Sequence, residues 1–282
     1  MADAAWGTRP MVDLEAYFAR IGFAGAAEPT LAALATLQRL HPAAIPFETI
    51  DVWLGRTIDL SPAAVDAKLI AGRRGGYCFE HNLIFWEVLR AIGFSATGLA
   101  ARVLWNQPPD AMTARGHMLL RVEIDGEDWV ADVGFGGVTM TAPMLLQPGV
   151  EQATPHEKFR LTEIGGYFHM EVDIDDAWRT LYRFDLQEHF PIDYAVTSYY
   201  LSTNPASHFT SNVIAARALP HGRLALFGNR LTRRGNDGTS ERIEIADENQ
   251  LAATLQSDFG IIPPDLDAFL SKARKTVFEV KS

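Results

Sequence analysis

The sequence predicts an α+β protein built as three modules, and three observations carry that expectation. Apolar residues recur at helical spacing through residue 93, alternate at period two between 95 and 184, and beyond residue 206 return as short strands mixed with helices. The 282 residues, 48% hydrophobic and 21% charged, suffice for a sizeable core. They fit one large domain or two to three smaller ones of roughly 100–200 residues each. The expected division is a helical bundle at 1–93, closely spaced strands of a barrel or sandwich at 94–205, and a mixed α/β module at 206–282.

Each element has a local reason. Asp13 precedes the apolar stripe Leu14, Tyr17, Phe18 and Ile21 as an N-cap, and Gly22 stops the helix. Thr30 opens a second helix through Leu31, Leu34 and Leu37. Ser61-Pro62 supplies a cap and a proline at the first helical position, for a helix ending near Gly72. A fourth helix runs from Cys78 through Leu83, Trp86 and Leu89 to Gly93. Strands are expected at 95–105, 117–124 and 128–133, the last two joined by Asp125-Gly126 as a tight hairpin turn. KFRLTEI, YFHMEVDI and WRTLYRF add three more between 158 and 184, with Gly165-Gly166 as another turn. The stretch from Asp193 to Leu201 suits a helix, and STNPAS a linker. Short strands around Val213 and from Leu224 to Phe227 then precede helices near 248–257 and 265–274.

Lys and Arg number 25 against 35 Asp and Glu, a formal charge of -10. Nucleic acid is therefore not an expected partner, because phosphate backbones reward clustered cations. A small anion would need backbone N–H groups or a local basic patch. The single cysteine, Cys78, cannot form an internal disulfide and speaks against a cysteine-built zinc site, so no metal is expected. The first residues lack the basic run and apolar core of a secretory leader, and no stretch of about 18 apolar residues offers a membrane span. A cytoplasmic location without a membrane partner is the expectation.

The most informative segment is RRGGYCFEHN, Arg73 to Asn82. Gly75-Gly76 permits a sharp turn with exposed backbone, and the cysteine follows at a helix start, where the dipole favours thiolate and lowers the pKa. A lone cysteine is also commonly a small buried hydrophobe. A cysteine nucleophile needs a base, and the base an orienting group. Of the eight histidines, His81 lies three residues on, but the short helical tether turns both side chains outward. The hairpin offers His117. If Ile124 pairs with Glu127 across the turn, the register carries His117 opposite Gly134, with Asp132 a diagonal neighbour on the same face at about 7–8 Å. Spacing alone equally allows a satisfied barrel histidine and a strand-end cap.

RRGGYCFEHN, RGHMLLRV and DVGFGG, in that order, resemble the arylamine N-acetyltransferases. HPAAIPFETI is similar to the family's IPFEN segment, with Thr49 where Asn is usual, and ARVLW and STNP continue the likeness. The resemblance implies a Cys–His–Asp triad on Cys78, His117 and Asp132, in a helical bundle, β-barrel and α/β lid whose core is arranged as in cysteine proteases. It implies acetyl-CoA as donor in a ping-pong reaction through acetyl-Cys78, with an arylamine, hydrazine or arylhydroxylamine as acceptor. Phe47, Phe135 and Phe209 correspond to acceptor-pocket aromatics. Val103 and Trp105 are expected along the CoA channel, with Gly134, Gly136 and Gly137 allowing close approach of pantetheine or pyrophosphate to a nest of N–H groups. Arg74 and Glu48 are expected to pair and fix the loop before the nucleophile, with Tyr77 and the Cys78 N–H near the oxyanion.

Two other classes share features of this pattern. A cysteine hydrolase or transglutaminase-like enzyme also orders Cys, His and Asp, and a catalytically silent protein would use the cleft between barrel and lid only to bind. Rapid, stoichiometric labelling of Cys78 by acetyl-CoA would exclude the silent binder and disfavour the hydrolase.

Overall fold

The structure, a computed structural model, describes residues 12–108 and 110–279. Its first part is mainly helical: α1 (Leu14–Ile21), α2 (Leu31–Ala44), the short strand β1 (Phe47–Glu48), α3 (Ile50–Trp53), α4 (Pro62–Asp66) and α5 (Cys78–Ile92). Caps set the limits. Asp13 accepts the Ala16 N–H at 3.0 Å and Thr30 the Ala33 N–H at 3.2 Å, while Gly22 and Gly93 close α1 and α5 at φ 72° and 107°. α4 continues into one π turn, Ala67–Ala71, a widening that the apolar pattern does not reveal. β1 and α3 are absent from the sequence expectation because elements this short show no period.

β2 (Ser95–Val103), β3 (His117–Ile124), β4 (Glu127–Ala131), β5 (Met144–Leu145), β6 (Glu151–Ala153), β7 (Lys158–Ile164), β8 (Tyr167–Ile174) and β9 (Ala177–Phe184) form one antiparallel sheet. Its order is β5-β4-β3-β2-β9-β8-β7-β6. The expected strands at 95–105 and 128–133 overrun, leaving Trp105 and Asp132 just past the ends of β2 and β4. Asp125 and Gly126 both take positive φ, 55° and 82°, as a two-residue hairpin turn requires. Beside a Pro148–Leu161 backbone bridge, the two edges also meet through a side chain. Gln152 on β6 accepts the Leu145 N–H at 2.8 Å and returns a hydrogen bond to Leu145 O at 3.0 Å, drawing β5 to β6 and nearly closing a barrel. Leu99, Phe159, Leu161, Met170 and Tyr182 are among the residues that fill its interior.

α6 (Pro191–Thr203), two residues longer than expected at each end, takes Ser202 and Thr203 from the STNPAS linker. After α7 (His208–Ser211) come β10 (Ile214–Leu219), β11 (Gly222–Phe227), β12 (Arg230–Gly235) and β13 (Ser240–Glu244). α8 (Glu248–Thr254) and α9 (Leu266–Ala273), each prolonged by a π turn, end the described chain. The second sheet runs β1-β10-β11-β12-β13. β12 and β13 lie beyond the strands expected from sequence, because RLTRRG and SERIE are too charged to show alternation; in the sheet Arg233 faces Glu241 across the pair while Leu231 and Ile243 pack on the helices. Ile50 and Trp53 share that core with Phe259 and Phe269. Among the described residues no helix is long and apolar enough to cross a membrane.

Two polar devices, one half-buried and one buried, hold the helical part. Arg20 donates to Leu69 O, Ala44 O and Arg73 O, and Arg217 to Ala43 O, so both guanidiniums cap converging helix ends where carbonyls lack partners. The second device is a chain of rings. Tyr17 Oη lies 2.8 Å from His41 Nδ1, His41 Nε2 lies 2.8 Å from His81 Nδ1, and His81 Nε2 lies 3.2 Å from Pro46 O. A carbonyl only accepts, which sets every proton: His81 donates to Pro46 O, His41 to His81, and the Tyr17 hydroxyl to His41. Both imidazoles are neutral. Burial pushes His81 down to about 4, and burial together with the neighbouring His81 lowers His41.

Between the unfolded histidine value of about 6.5 and the folded value, the unfolded chain binds protons that the folded chain does not. Stability from this chain is full above that window and falls as pH drops through it. Urea unfolding should therefore lose stability toward acid more steeply in the wild type than in His81→Gln, by about 1.4 kcal/mol per pH unit. Equal slopes would mean that His81 is already charged in the folded protein.

Candidate active site

Cys78 is the first residue of α5, and the turn before it exists only because two glycines allow it. A Cβ on Gly75 would run into Pro46 O, and one on Gly76 would lie 2.7 Å from Glu80 Oε2. β1 crosses this turn, with the Glu48 N–H on Gly76 O at 2.7 Å. Arg74 fixes the loop through Glu48 at 2.7 Å and Asp51 at 2.8 Å. The Cys78 side chain is buried, its sulfur 3.8 Å from Gly116 O.

His117 opens β3, where the ladder delivers it. Observed pairs run from Ile124↔Glu127 to Leu120↔Ala131, the register expected for the hairpin, and pairing then stops. His117 is therefore not a ladder partner of Gly134, yet its Nε2 lies 2.7 Å from Asp132 Oδ2. Nε2–H donates to the carboxylate, leaving Nδ1 as the acceptor nitrogen of the neutral ring.

Asp132 is wholly buried and each oxygen has two donors. Oδ1 accepts from Asn82 Nδ2 at 3.0 Å and Gly134 N–H at 2.9 Å; Oδ2 accepts from His117 and from the Tyr182 hydroxyl at 3.2 Å. Burial alone would raise this carboxyl, but His117, Asn82 and Gly134 together hold it below the usual carboxylate value. Asn82 also donates to Met118 O at 2.7 Å and accepts the Val133 N–H at 3.0 Å, tying α5 to the hairpin. Sequence reasoning missed Asn82 and Tyr182. Asn82 carried a signal, one helical turn past Cys78 in the same motif; Tyr182 had none, being one strand residue among many.

The helix-start argument for a lowered thiol pKa is corrected by the structure. Burial, reinforced by the Asp132 charge, pushes the Cys78 thiol up, and the N–H groups of Phe79 and Met118 offset this only in part. Tyr77 is corrected as well: its N–H is held by Glu80 Oε2 at 3.0 Å and its hydroxyl by Ser198 Oγ, so neither faces an oxyanion. Gly134 gives its N–H to Asp132, and a Cβ there would lie 2.9 Å from the Cys78 Cα, so the close approach it permits is that of α5 rather than of a ligand.

The aromatics divide into two groups. Phe47 stacks on His81 at 6.3 Å between centroids and meets Phe209 at 6.4 Å, with Phe209 edge-on to Tyr77 at 6.1 Å. Phe135 instead stands edge-on to His117 at 5.1 Å and contacts Tyr182 at 5.3 Å. Gly136, at φ 88°, passes over the Phe47 ring, and Gly137 over Ala225. Val103 pairs with Tyr182, while Trp105 packs half-buried on the barrel core.

A family model described as N-acetyltransferase matches residues 30–264. An arylamine N-acetyltransferase of Mycobacterium tuberculosis is 42% identical over 259 residues, 90% of this chain and 91% of the relative. A Salmonella typhimurium relative, named as both an arylamine N-acetyltransferase and an N-hydroxyarylamine O-acetyltransferase, is 39% identical over 249 residues, 88% of each chain. The solved structure of the Mycobacterium marinum arylamine N-acetyltransferase in complex with CoA superposes with a TM-score of 0.91 at 37% identity, covering 94% of this chain and all of that one. Likeness of this extent in both sequence and fold shows that the chain is an acetyltransferase belonging to the arylamine N-acetyltransferase family.

Proposed function

We propose that the protein transfers an acetyl group from acetyl-CoA to the nitrogen of an arylamine or arylhydrazine, or to the oxygen of an arylhydroxylamine, by way of a thioester on Cys78. The observation that carries this reading is the buried His117–Asp132 pair at 2.7 Å set against the start of the helix that bears the only cysteine. A buried thiol ionises poorly alone, so the proton moves to His117 Nδ1 within the site, and the imidazolium so formed is stabilised by Asp132. The thiolate attacks the thioester carbonyl; the intermediate collapses to acetyl-Cys78, and the CoA sulfur leaves with the proton from His117. In the second half the acceptor attacks acetyl-Cys78, His117 takes its proton, and Cys78 departs as the thiol. With Tyr77 occupied, the Cys78 N–H in the first turn of α5 is the oxyanion donor supported by the helix start.

The second sheet supports a channel for the donor. Its register sets Phe47, Ala216, Ala225, Thr232 and Arg242 in one row across β1, β10, β11, β12 and β13. Four strand spacings of about 4.8 Å make a row of roughly 19 Å. Small side chains line its middle under Gly136 and Gly137, and a guanidinium stands at its far end, an arrangement suited to an extended pantetheine arm with phosphate at Arg242. Phe47, Phe135 and Phe209 supply aromatic surface for a flat acceptor. Residues 206–282 act as a lid that limits water at the thioester. Because β1 and α3 are built into its sheet and core, this lid does not detach cleanly from the nucleophile loop.

Intact-protein mass spectrometry after treatment with acetyl-CoA should show one added acetyl group in the wild type and none in Cys78→Ala; acetylation retained by the variant would overturn the reading. Arg242→Ala should raise KM for acetyl-CoA about tenfold, the loss of roughly 1.4 kcal/mol, with the acceptor KM unchanged. In contrast, Phe135→Ala should raise the acceptor KM by the equivalent of about 1–3 kcal/mol and leave the first half-reaction near wild type.

A further inference from the structure

Next to the nucleophile loop lies a cluster of five charged side chains, Glu48, Asp51, Lys68, Arg74 and Glu80, that takes no direct part in the chemistry above. Lys68 enters it from the π turn that prolongs α4. Its ammonium lies 2.7 Å from Glu80 Oε1 and 3.0 Å from Asp51 Oδ2, and its backbone carbonyl accepts the Arg74 N–H at 3.1 Å. Arg74 occupies the other side of the cluster, bonded to Glu48 and Asp51. Glu80 is the critical member. Its side chain is 2% exposed, fills the space above Gly76, and caps α5 by accepting the Tyr77 N–H at 3.0 Å.

A carboxylate in this place presents a conflict. As a cap it should be ionised, because an anion at a helix N-terminus is favourable. As a neighbour two residues from Cys78 it adds to the forces that oppose a negative sulfur, and burial raises its own proton affinity. Lys68 bears on both sides: the cation pulls Glu80's proton affinity down against the burial that still leaves it raised, and it offsets the carboxylate's charge as felt at the sulfur. Among the described residues Lys68 is the cation paired with Glu80. We propose that Lys68 is a positioning residue for the nucleophile, holding the cap of α5 through Glu80 and cancelling that carboxylate's field at the Cys78 sulfur. This rests on the reading of Cys78 as nucleophile, but its test does not need acetyl transfer.

The groups that set the charge balance at Cys78 are His117 and Asp132 from the barrel side, Tyr77 and Glu80 from its own helix, and, behind Glu80, Lys68 with Arg74, Glu48 and Asp51. The test is the pH dependence of Cys78 alkylation by iodoacetamide in the folded protein, followed by intact mass. Lys68→Met should move the midpoint up by about one pH unit, and Glu80→Gln should move it down. The double variant, which removes both charges, should return near the wild-type midpoint, and Lys68→Arg should keep it. A purely structural role would lower the melting temperature of Lys68→Met without moving its midpoint, and that result would overturn the proposal. If Lys68→Met does not fold, Glu80→Gln and the double variant decide together: a midpoint lower in Glu80→Gln than in the double variant supports the proposal, and equal midpoints overturn it. A normal acetyl-CoA label on wild-type Cys78 with no midpoint shift in Glu80→Gln would leave the nucleophile reading intact and remove Lys68 from it.

Discussion

The carboxylate of Asp132 is out of water altogether, and satisfying it dictates how the parts of the molecule meet. An unpaired buried charge would cost several kcal/mol. Its four donors come from different elements: Asn82 from α5, His117 from the start of β3, Gly134 from the loop past β4, and Tyr182 from β9. Helical bundle and barrel are thus locked at one atom group. Asn82 adds hydrogen bonds to Met118 O and the Val133 N–H, so the hairpin cannot slide along α5 without stranding both. Gly134 has the size that this docking demands, since any side chain would strike Cys78 or Asn82.

That docking also decides the electrostatics of the sulfur. A helix N-terminus stabilises an adjacent anion by about 0.3–1 kcal/mol, whereas burial of an ionisable group shifts it by as much as several pKa units. Desolvation wins at Cys78, which is why the thiol is raised despite heading α5. The proposed mechanism meets this by keeping the sulfur's proton on His117, with the Asp132 carboxylate behind it.

Much of this was legible in the chain, for local reasons. Asp13, Thr30, Gly22 and Gly93 act at the positions where capping chemistry places them, and the Asp125-Gly126 turn transmits a register over enough residues to bring His117 toward Asp132. Features set by long-range contact were not legible. Tyr182 reaches Asp132 across 50 residues of sequence, the π turn at Lys68 leaves the apolar pattern unchanged, and β12 and β13 hide behind charged residues that pair across strands. The dipole argument for the thiol failed for a related reason: helix position is local, but burial depends on what packs above it.

The amide of Gln152 that bridges Leu145 has a bearing on solubility. Sheet edges offer unpaired N–H and C=O groups to any other extended chain, the usual route to intermolecular strand addition. Here the two barrel edges are only two and three residues long and occupy one another through a side chain, so a foreign strand finds no open ladder to extend. The second sheet guards its limits differently, with a two-residue strand at one edge and the charged SERIE segment at the other. The turn between Leu145 and Gln152 closes the seam a second time, with the Gly149 N–H on Leu161 O at 2.7 Å beside a Pro148–Leu161 bridge, so added length there would loosen the backbone and side-chain closures together.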